Sequence, residues 1–134
     1  MEEKLDKKKC RIFIVDDDDF LLNMYALKFK QEGFDVDTAP SGEAAIAKLK
    51  DKPCPDVLIL DIVMPTMDGI ELLENLRKNN LAGTSIVIML TNQGQSSEIE
   101  RAKKMGVAGY IVKASAIPSE VLSEVLKIVK MHKK

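Results

Sequence analysis

Apolar runs alternate with amphipathic stretches along this chain, and the pattern predicts five strands and five helices. Residues 34–39 alternate polar and apolar, which is typical of a half-exposed strand at a sheet edge. Strict alternation of the two element types predicts a single α/β domain with parallel strands, right-handed crossovers and helices on both faces. The strands are expected at 11–15, 34–39, 57–60, 86–90 and 110–112, and the helices at 19–32, 41–50, 69–78, from 96 onward and at 118–131.

Individual residues support these boundaries. Gly33 follows the first helix, where a residue with positive φ commonly ends one. Ser41 can cap the second helix, and Pro118 suits the first turn of the last. Residues 57–60 and 86–90 are apolar throughout, as expected of strands that are buried on both faces.

Composition narrows the class of protein. The 134 residues and net charge of −1 fit one globular domain, which we place at 11–132 after a charged tail at 1–10. The balanced charge argues against direct binding of nucleic acid or membrane. The N-terminus lacks an apolar signal segment, and no apolar stretch is long enough to span a bilayer. Cys10 and Cys54 lack metal-binding spacing and are expected as reduced residues of a cytoplasmic protein.

A polar residue ends each central strand. Four consecutive aspartates, 16–19, follow the first apolar run. Asp61, Thr91 and Lys113 follow the third, fourth and fifth strands. Because the carboxyl ends of parallel strands lie along one edge of the sheet, these residues are expected to converge on one crevice, where open α/β sheets bind ligands.

The residue types in that crevice indicate phosphate chemistry with a hard cation. Carboxylates suit Mg²⁺, which favours a few carboxylates together with waters and a phosphate. A lysine supplies a compact positive charge for a phosphoryl oxygen, and a threonine hydroxyl can donate to another. Within the aspartate run, Asp16 and Asp17 are assigned to this site. Asp18 and Asp19 are expected to begin the first helix, where acidic residues favour the helix dipole.

The motifs that contain these residues resemble the receiver domain of two-component response regulators. The matching segments are Ile-Phe-Ile-Val-Asp16-Asp17, Leu-Ile-Leu-Asp61-Ile-Val-Met-Pro65-Thr-Met-Asp68-Gly69, Val-Ile-Met-Leu-Thr91 and Gly-Tyr110-Ile-Val-Lys113. The resemblance covers essentially the whole chain. It implies a flavodoxin-like (βα)5 fold with a five-stranded parallel sheet in the order 2-1-3-4-5.

The resemblance also implies a role for each site residue. Asp61 would accept a phosphoryl group from a histidine kinase or a histidine phosphotransfer protein in a Mg²⁺-dependent reaction. Asp17, Asp61 and the backbone carbonyl of Val63 would ligate Mg²⁺, and Asp16 would act mainly through a metal-bound water. Lys113 would pair with Asp61 and then with the phosphoryl group.

The signalling output is likewise implied by the resemblance. The Thr91 hydroxyl would move to the phosphoryl oxygen, and Tyr110 would rotate inward. From the residues alone, Tyr110 as a switch and Tyr110 as ordinary core are equally good interpretations. The readout surface would be the fourth helix, fifth strand and fifth helix, about residues 96–131. The chain would act on a downstream target protein as a monomer or weak dimer, and it would not be an enzyme beyond its own phosphorylation and dephosphorylation.

Two positions depart from the family pattern. Ala114 follows Lys113 where the family usually has proline, so a cis peptide is not expected there. Asn92 follows Thr91 where a smaller residue is commoner, which would narrow access to the phosphoryl group.

Two alternative functions are compatible with parts of the sequence. A degenerate receiver would keep the fold and bind other proteins, but it would not accept a phosphoryl group. A haloacid-dehalogenase-like phosphatase would use Asp16-x-Asp18, Thr91 and Lys113, but that family needs a further acidic pair after the lysine, and residues 114–134 contain no Asp. Whether the chain is a stand-alone receiver or one cut from a larger protein is left open, with a modest preference for the former.

Overall fold

A computed structural model of the protein describes residues 10–91, 96–113 and 117–132. Helices and strands alternate strictly within them, as the hydrophobic pattern predicts. The elements are β1 (Arg11–Val15), α1 (Asp19–Gln31), β2 (Asp35–Ala39), α2 (Gly42–Lys50), β3 (Val57–Asp61), α3 (Gly69–Lys78), β4 (Ile86–Thr91), α4 (Ser96–Lys104), β5 (Gly109–Val112) and α5 (Pro118–His132).

The five strands form one sheet in the order β2-β1-β3-β4-β5. Every neighbouring pair is parallel. β1, β3 and β4 therefore lie in the interior of the sheet, while β2 and β5 are its edges. The predicted fold class, strand order and edge position of β2 are confirmed.

Alternate residues of each central strand pack against different helices. Ile12 and Ile14 of β1 belong to a buried cluster with residues of α1 and α5. Phe13 and Val15 belong to a second buried cluster with residues of α2, α3 and α4. The sheet is thus covered on both faces, which explains why β3 is apolar at every position up to Asp61 and buried throughout.

Side-chain and backbone caps fix the ends of the helices near the site. Asp18 is the N-cap of α1, and its carboxylate accepts a hydrogen bond from the amide of Leu21 at 3.1 Å. The Ser41 hydroxyl accepts from the amide of Ala44 at 3.1 Å. Gly33 has a φ of 97° directly after α1. The predictions for the second pair of aspartates, for Ser41 and for Gly33 are therefore confirmed.

Some predictions fall outside the part of the chain that the structure describes. They concern most of the charged tail at 1–10, the effect of Asn92, and the peptide between Lys113 and Ala114. Within the described ranges, no helix has the length and apolar character needed to cross a bilayer.

Candidate functional site

The carboxyl ends of four strands meet at one edge of the sheet and bring the predicted polar residues together. Asp61 ends β3 beside Leu90 of β4. Thr91 follows Leu90 and pairs with Val112, the residue before Lys113. Asp16 follows the last residue of β1. Four residues distant in sequence, Asp16, Asp61, Thr91 and Lys113, are consequently buried in one place.

Three carboxylates of this crevice are close enough to share one cation. Asp16, Asp17 and Asp61 each offer an oxygen, and these oxygens lie within 4.8 Å of one another. Asp16 and Asp61 are buried, whereas Asp17 is exposed. The cluster therefore combines two desolvated carboxylates with one that faces solvent, which leaves the site open on one side.

Lys113 lies closer to Asp16 than to Asp61. Its ammonium group donates to Oδ2 of Asp16 at 2.9 Å and to Oδ2 of Asp61 at 3.4 Å. The other oxygen of Asp16 accepts from the backbone amide of Asp18 at 2.9 Å. Both oxygens of Asp16 are thus occupied by donors from the protein, so its carboxylate is held in a fixed orientation.

One carboxylate oxygen of Asp61 lacks a hydrogen-bond donor among the described residues. Its Oδ1 is buried and has no hydrogen-bond partner within the described chain. Burial, followed by the negative charge of Asp16, raises the pKa of Asp61 from 3.8 to about 8, although Lys113 opposes the shift. A divalent cation would supply the missing positive charge, so an oxygen-ligated cation fits these residues.

The charges at the site also act on two neighbours. Burial alone lowers the pKa of Lys113, but the hydrogen bond to Asp16 and the charges of Asp61 and Asp16 outweigh it and raise the pKa overall. Tyr25 of α1 is buried, and this burial raises the pKa of its hydroxyl despite the opposing charge of Lys113. Lys113 therefore stays cationic and Tyr25 stays neutral near pH 7. The sequence alone did not indicate that Tyr25 lies near the site.

The loop between β3 and α3 is tightly constrained. A Cβ at Gly69 would overlap the carbonyl oxygen of Asp61, so glycine is needed for the loop to return to the strand end. Asp68 and Glu71 form a capping box at the start of α3. Val63 lies in this loop, two residues after Asp61, with 52% of its surface exposed.

Thr66 occupies a strained position in the same loop. Its φ is 72°, and the amide of Met67 donates to the carbonyl of Pro65 at 2.8 Å across it. This is a three-residue turn in a backbone region that β-branched residues rarely adopt.

Thr66→Gly should therefore raise the free energy of unfolding by about 0.5–1 kcal/mol, because relief of strain exceeds the entropy that glycine adds to the unfolded chain. Urea denaturation measures the change. Thr84 is also exposed, but among the described non-glycine residues positive φ is confined to Thr66 and Asn80. Thr84→Gly should thus lower the free energy of unfolding, and an equal loss in both variants would contradict the strain.

The predicted switch residue points outward in this structure. Tyr110 of β5 is 40% exposed, whereas Ile111 beside it is buried. Since Tyr110 pairs with Met89 and Val112 with Thr91, Tyr110 and Thr91 lie on the same face of the sheet. That face is the one covered by α2, α3 and α4. The register thus places Tyr110 where a residue could respond to Thr91.

Contacts between α3 and α4 were not anticipated from the sequence. Arg101 of α4 lies 3.8 Å from the carboxylate of Asp68. The guanidinium of Arg77 donates to the carbonyl of Met105. The first contact joins α4 to the loop that follows Asp61, and the second joins the last turn of α3 to the residue that follows α4. The charges of Asp68 and Arg101 were visible in the sequence, but their pairing depends on how the two helices are placed.

An open, parallel α/β sheet with carboxylates and a lysine at its carboxyl edge defines a class of proteins that bind charged ligands at that edge. Within this class, the family model described as response regulator receiver domain matches residues 12–126. The chain belongs to that family, the receiver domains of two-component response regulators.

Similar proteins include both short and long members. The chemotaxis protein CheY of Halobacterium salinarum is 36% identical over 118 residues, which are 87% of this chain and 96% of that protein. The phosphate regulon transcriptional regulatory protein PhoB of Rhizobium meliloti is 34% identical over 123 residues, which are 92% of this chain but 53% of the relative. The chain thus spans about half the length of the latter.

Solved structures show the same architecture. The chemotaxis protein CheY4 of Vibrio cholerae superimposes with a TM-score of 0.81 at 26% identity, covering 90% of this chain and 99% of the other. A CheY-like receiver domain protein of Methanospirillum hungatei gives a TM-score of 0.81 at 27% identity and covers 92% of this chain and 96% of the other.

Proposed function

We propose that the chain is a phosphorylation-controlled signalling switch in which Asp61 accepts the phosphoryl group. The observation that carries this proposal is the environment of Asp61: a buried carboxylate with one oxygen that no described residue hydrogen-bonds, next to a lysine and two further carboxylates. A structural carboxylate would normally be fully hydrogen-bonded, because leaving a buried polar atom unpartnered costs about 1–3 kcal/mol. An oxygen that no described residue hydrogen-bonds suits the role of the atom that bonds to an incoming phosphoryl group.

Asp17, Asp61 and the carbonyl of Val63 would hold Mg²⁺ beside the reacting oxygen. When bound, the ion would offset the negative charge that develops as a carboxylate attacks a phosphoryl centre. Asp16 suits an indirect role, because Lys113 and the amide of Asp18 already occupy its two oxygens. Asp17 is exposed and can turn its carboxylate toward the ion.

Lys113 and Thr91 would stabilise the phosphorylated state. The ammonium group of Lys113 is held by Asp16 at 2.9 Å and lies 3.4 Å from Asp61. It would therefore need to move only slightly to contact a phosphoryl oxygen on Asp61. Asp61 would then carry an acyl phosphate rather than a free carboxylate, and Lys113 would retain Asp16 as its counter-ion. The hydroxyl of Thr91, which is buried at the end of β4, would donate to the same group.

The output would pass through Tyr110 and the surface formed by α4, β5 and α5. Tyr110 is exposed here and lies on the face of Thr91, so a shift of Thr91 would open space for its ring. The phosphoryl donor would be a histidine kinase or a histidine phosphotransfer protein, and the receiver of the signal would be a downstream protein. The chain would catalyse no reaction other than its own phosphorylation and dephosphorylation.

Beryllofluoride, which mimics a phosphoryl group on aspartate, distinguishes a switch from a degenerate receiver. With Mg²⁺ and beryllofluoride, we expect shifts of the backbone amide resonances around Asp61, Thr91 and Tyr110 and along α4. Asp61→Asn is the matched control and should show none of these changes. An unchanged spectrum of the wild-type protein would favour a binding module that works without phosphorylation.

A further inference from the structure

A groove between β5 and α5 has a chemical character that the proposed switch does not explain. Its volume is about 500 Å³. We call it the β5–α5 groove. Residues of both elements line it, namely residues 110–112 of β5 and Ser119, Glu120, Ser123 and Glu124 of α5.

The charge of the β5–α5 groove is negative. Glu120 and Glu124 are separated by one helical turn and both are exposed, so their carboxylates lie on the same side of α5. Among the described lining residues there is no Lys, Arg or His. Lys127 lies 3.6 Å from Glu124, but both side chains are largely exposed, and such a pair is easily exchanged for another cation.

The uncharged groups of the groove suit the same kind of ligand. Tyr110 is one of the lining residues and is 40% exposed, and the face of an aromatic ring attracts a guanidinium or ammonium group. The hydroxyls of Ser119 and Ser123 can accept hydrogen bonds from such a group. A cationic side chain would therefore meet carboxylates, hydroxyls and a ring in one place.

The position of β5 indicates the form of the ligand. β5 is an edge strand of the sheet, and three consecutive β5 residues, 110–112, line the groove. An extended peptide can lie along an edge strand and direct alternate side chains to one side. An anionic partner such as nucleic acid would instead be repelled by the two glutamates.

We propose that the β5–α5 groove binds an extended segment of a downstream protein through an arginine or lysine that contacts Glu120 and Glu124. The inference rests on the proposed function in one respect, since the groove is part of the α4–β5–α5 surface. It adds the chemistry of the partner: a basic, extended segment rather than an acidic or purely apolar one.

A short capped peptide of alternating valine and arginine is a suitable probe, with the analogue containing glutamate in place of arginine as its counterpart. Titration of the full chain should shift amide resonances of residues 109–112 and 119–124 with the arginine peptide alone. Salt should weaken the interaction. Glu120→Gln/Glu124→Gln should weaken it about three- to tenfold, the range expected for two exposed charge contacts.

Glu74→Gln is the matched control, because Glu74 is an exposed glutamate of α3 outside the groove, and it should leave the affinity unchanged. Equal shifts with both peptides, or unchanged affinity in the double variant, would overturn the proposal. The proposal would also be overturned if the protein alone associated with itself as its concentration rises and the double variant did not. A second copy of the chain would then be the occupant of the groove.

The proposal can fail independently of the proposed function. The double variant should accept a phosphoryl group as wild type does, because neither glutamate lies at the phosphoacceptor site. Asp61→Asn should still bind the arginine peptide, since the groove is formed in the structure with Asp61 unmodified.

Discussion

Asp61→Asn should raise the free energy of unfolding of the metal-free protein by roughly a few kcal/mol at pH 8. The cause is the cost of keeping a buried carboxylate charged beside Asp16. Burial and that neighbouring charge raise the pKa of Asp61 from 3.8 to about 8 in the folded protein. Asparagine keeps the shape of the side chain and removes this penalty, while Lys113 retains Asp16 as a partner.

The same shift fixes the sign of the pH dependence. Between pH 3.8 and about 8 the folded protein binds the Asp61 proton and the unfolded chain does not. Asp61 therefore makes the metal-free protein less stable as pH rises through this window, by at most about 1.4 kcal/mol per pH unit. Asp61→Asn should remove this contribution, and saturating Mg²⁺ should reduce it, because the ion would bind the charged carboxylate of the folded state and displace its proton.

Urea denaturation at several pH values, with and without Mg²⁺, measures both effects. Asp51→Asn is the control, because Asp51 is exposed at the end of α2 and its replacement should change stability little. An Asp61→Asn protein that is no more stable than wild type at pH 8, or that keeps the pH dependence, would contradict this prediction. It would show that burial and the charge of Asp16 do not destabilise the charged carboxylate of Asp61.

Asp17→Asn should largely abolish Mg²⁺ binding, whereas Asp19→Asn should have little effect. Both residues are exposed aspartates of the same run. Asp17 lies in the cluster whose oxygens are within 4.8 Å of one another, whereas Asp19 lies in the first turn of α1. The loss should follow from position rather than from total charge, which both variants reduce equally.

Isothermal titration calorimetry with Mg²⁺ at low ionic strength compares the two variants directly. Because both remove one negative charge, long-range attraction of the cation is matched between them. Equal losses of affinity would mean that the aspartate run acts as one diffuse negative field and that Asp17 is not a ligand.

Most of the fold was predictable because hydrophobic periodicity encodes it. The fully apolar segments 57–60 and 86–90 became interior strands, and the alternating segment 34–39 became an edge strand. Strict alternation of strands and helices required parallel pairing, which placed the polar ends of the strands on one edge. For that reason the sequence predicted that the site residues lie together.

The detailed geometry of the site depends on distances that a sequence does not contain. Lys113 was expected to pair with Asp61, yet its shorter contact is with Asp16. Asp16 and Asp17 are adjacent in sequence and both follow the end of β1, but only Asp16 is buried. Side-chain packing across the sheet decides such differences.

Other features had no signal in the local pattern. Thr66 has a positive φ in the loop that leads to α3, although it is a β-branched residue. The contact between Arg101 and Asp68 depends on the placement of α4. Glu120 and Glu124 have the spacing of one helix face, which was readable, but the sequence did not show that β5 completes a groove with them.

Phosphoryl transfer to Asp61 is the central claim, and mass spectrometry of the protein treated with acetyl phosphate tests it most directly. With Mg²⁺, the intact mass should rise by one phosphoryl group, and peptide fragmentation after borohydride reduction should place the modification on Asp61. The gain should vanish with EDTA and in Asp61→Asn but persist in Asp19→Asn. A Mg²⁺-dependent gain that persists in Asp61→Asn, or that maps to another residue, would contradict the account.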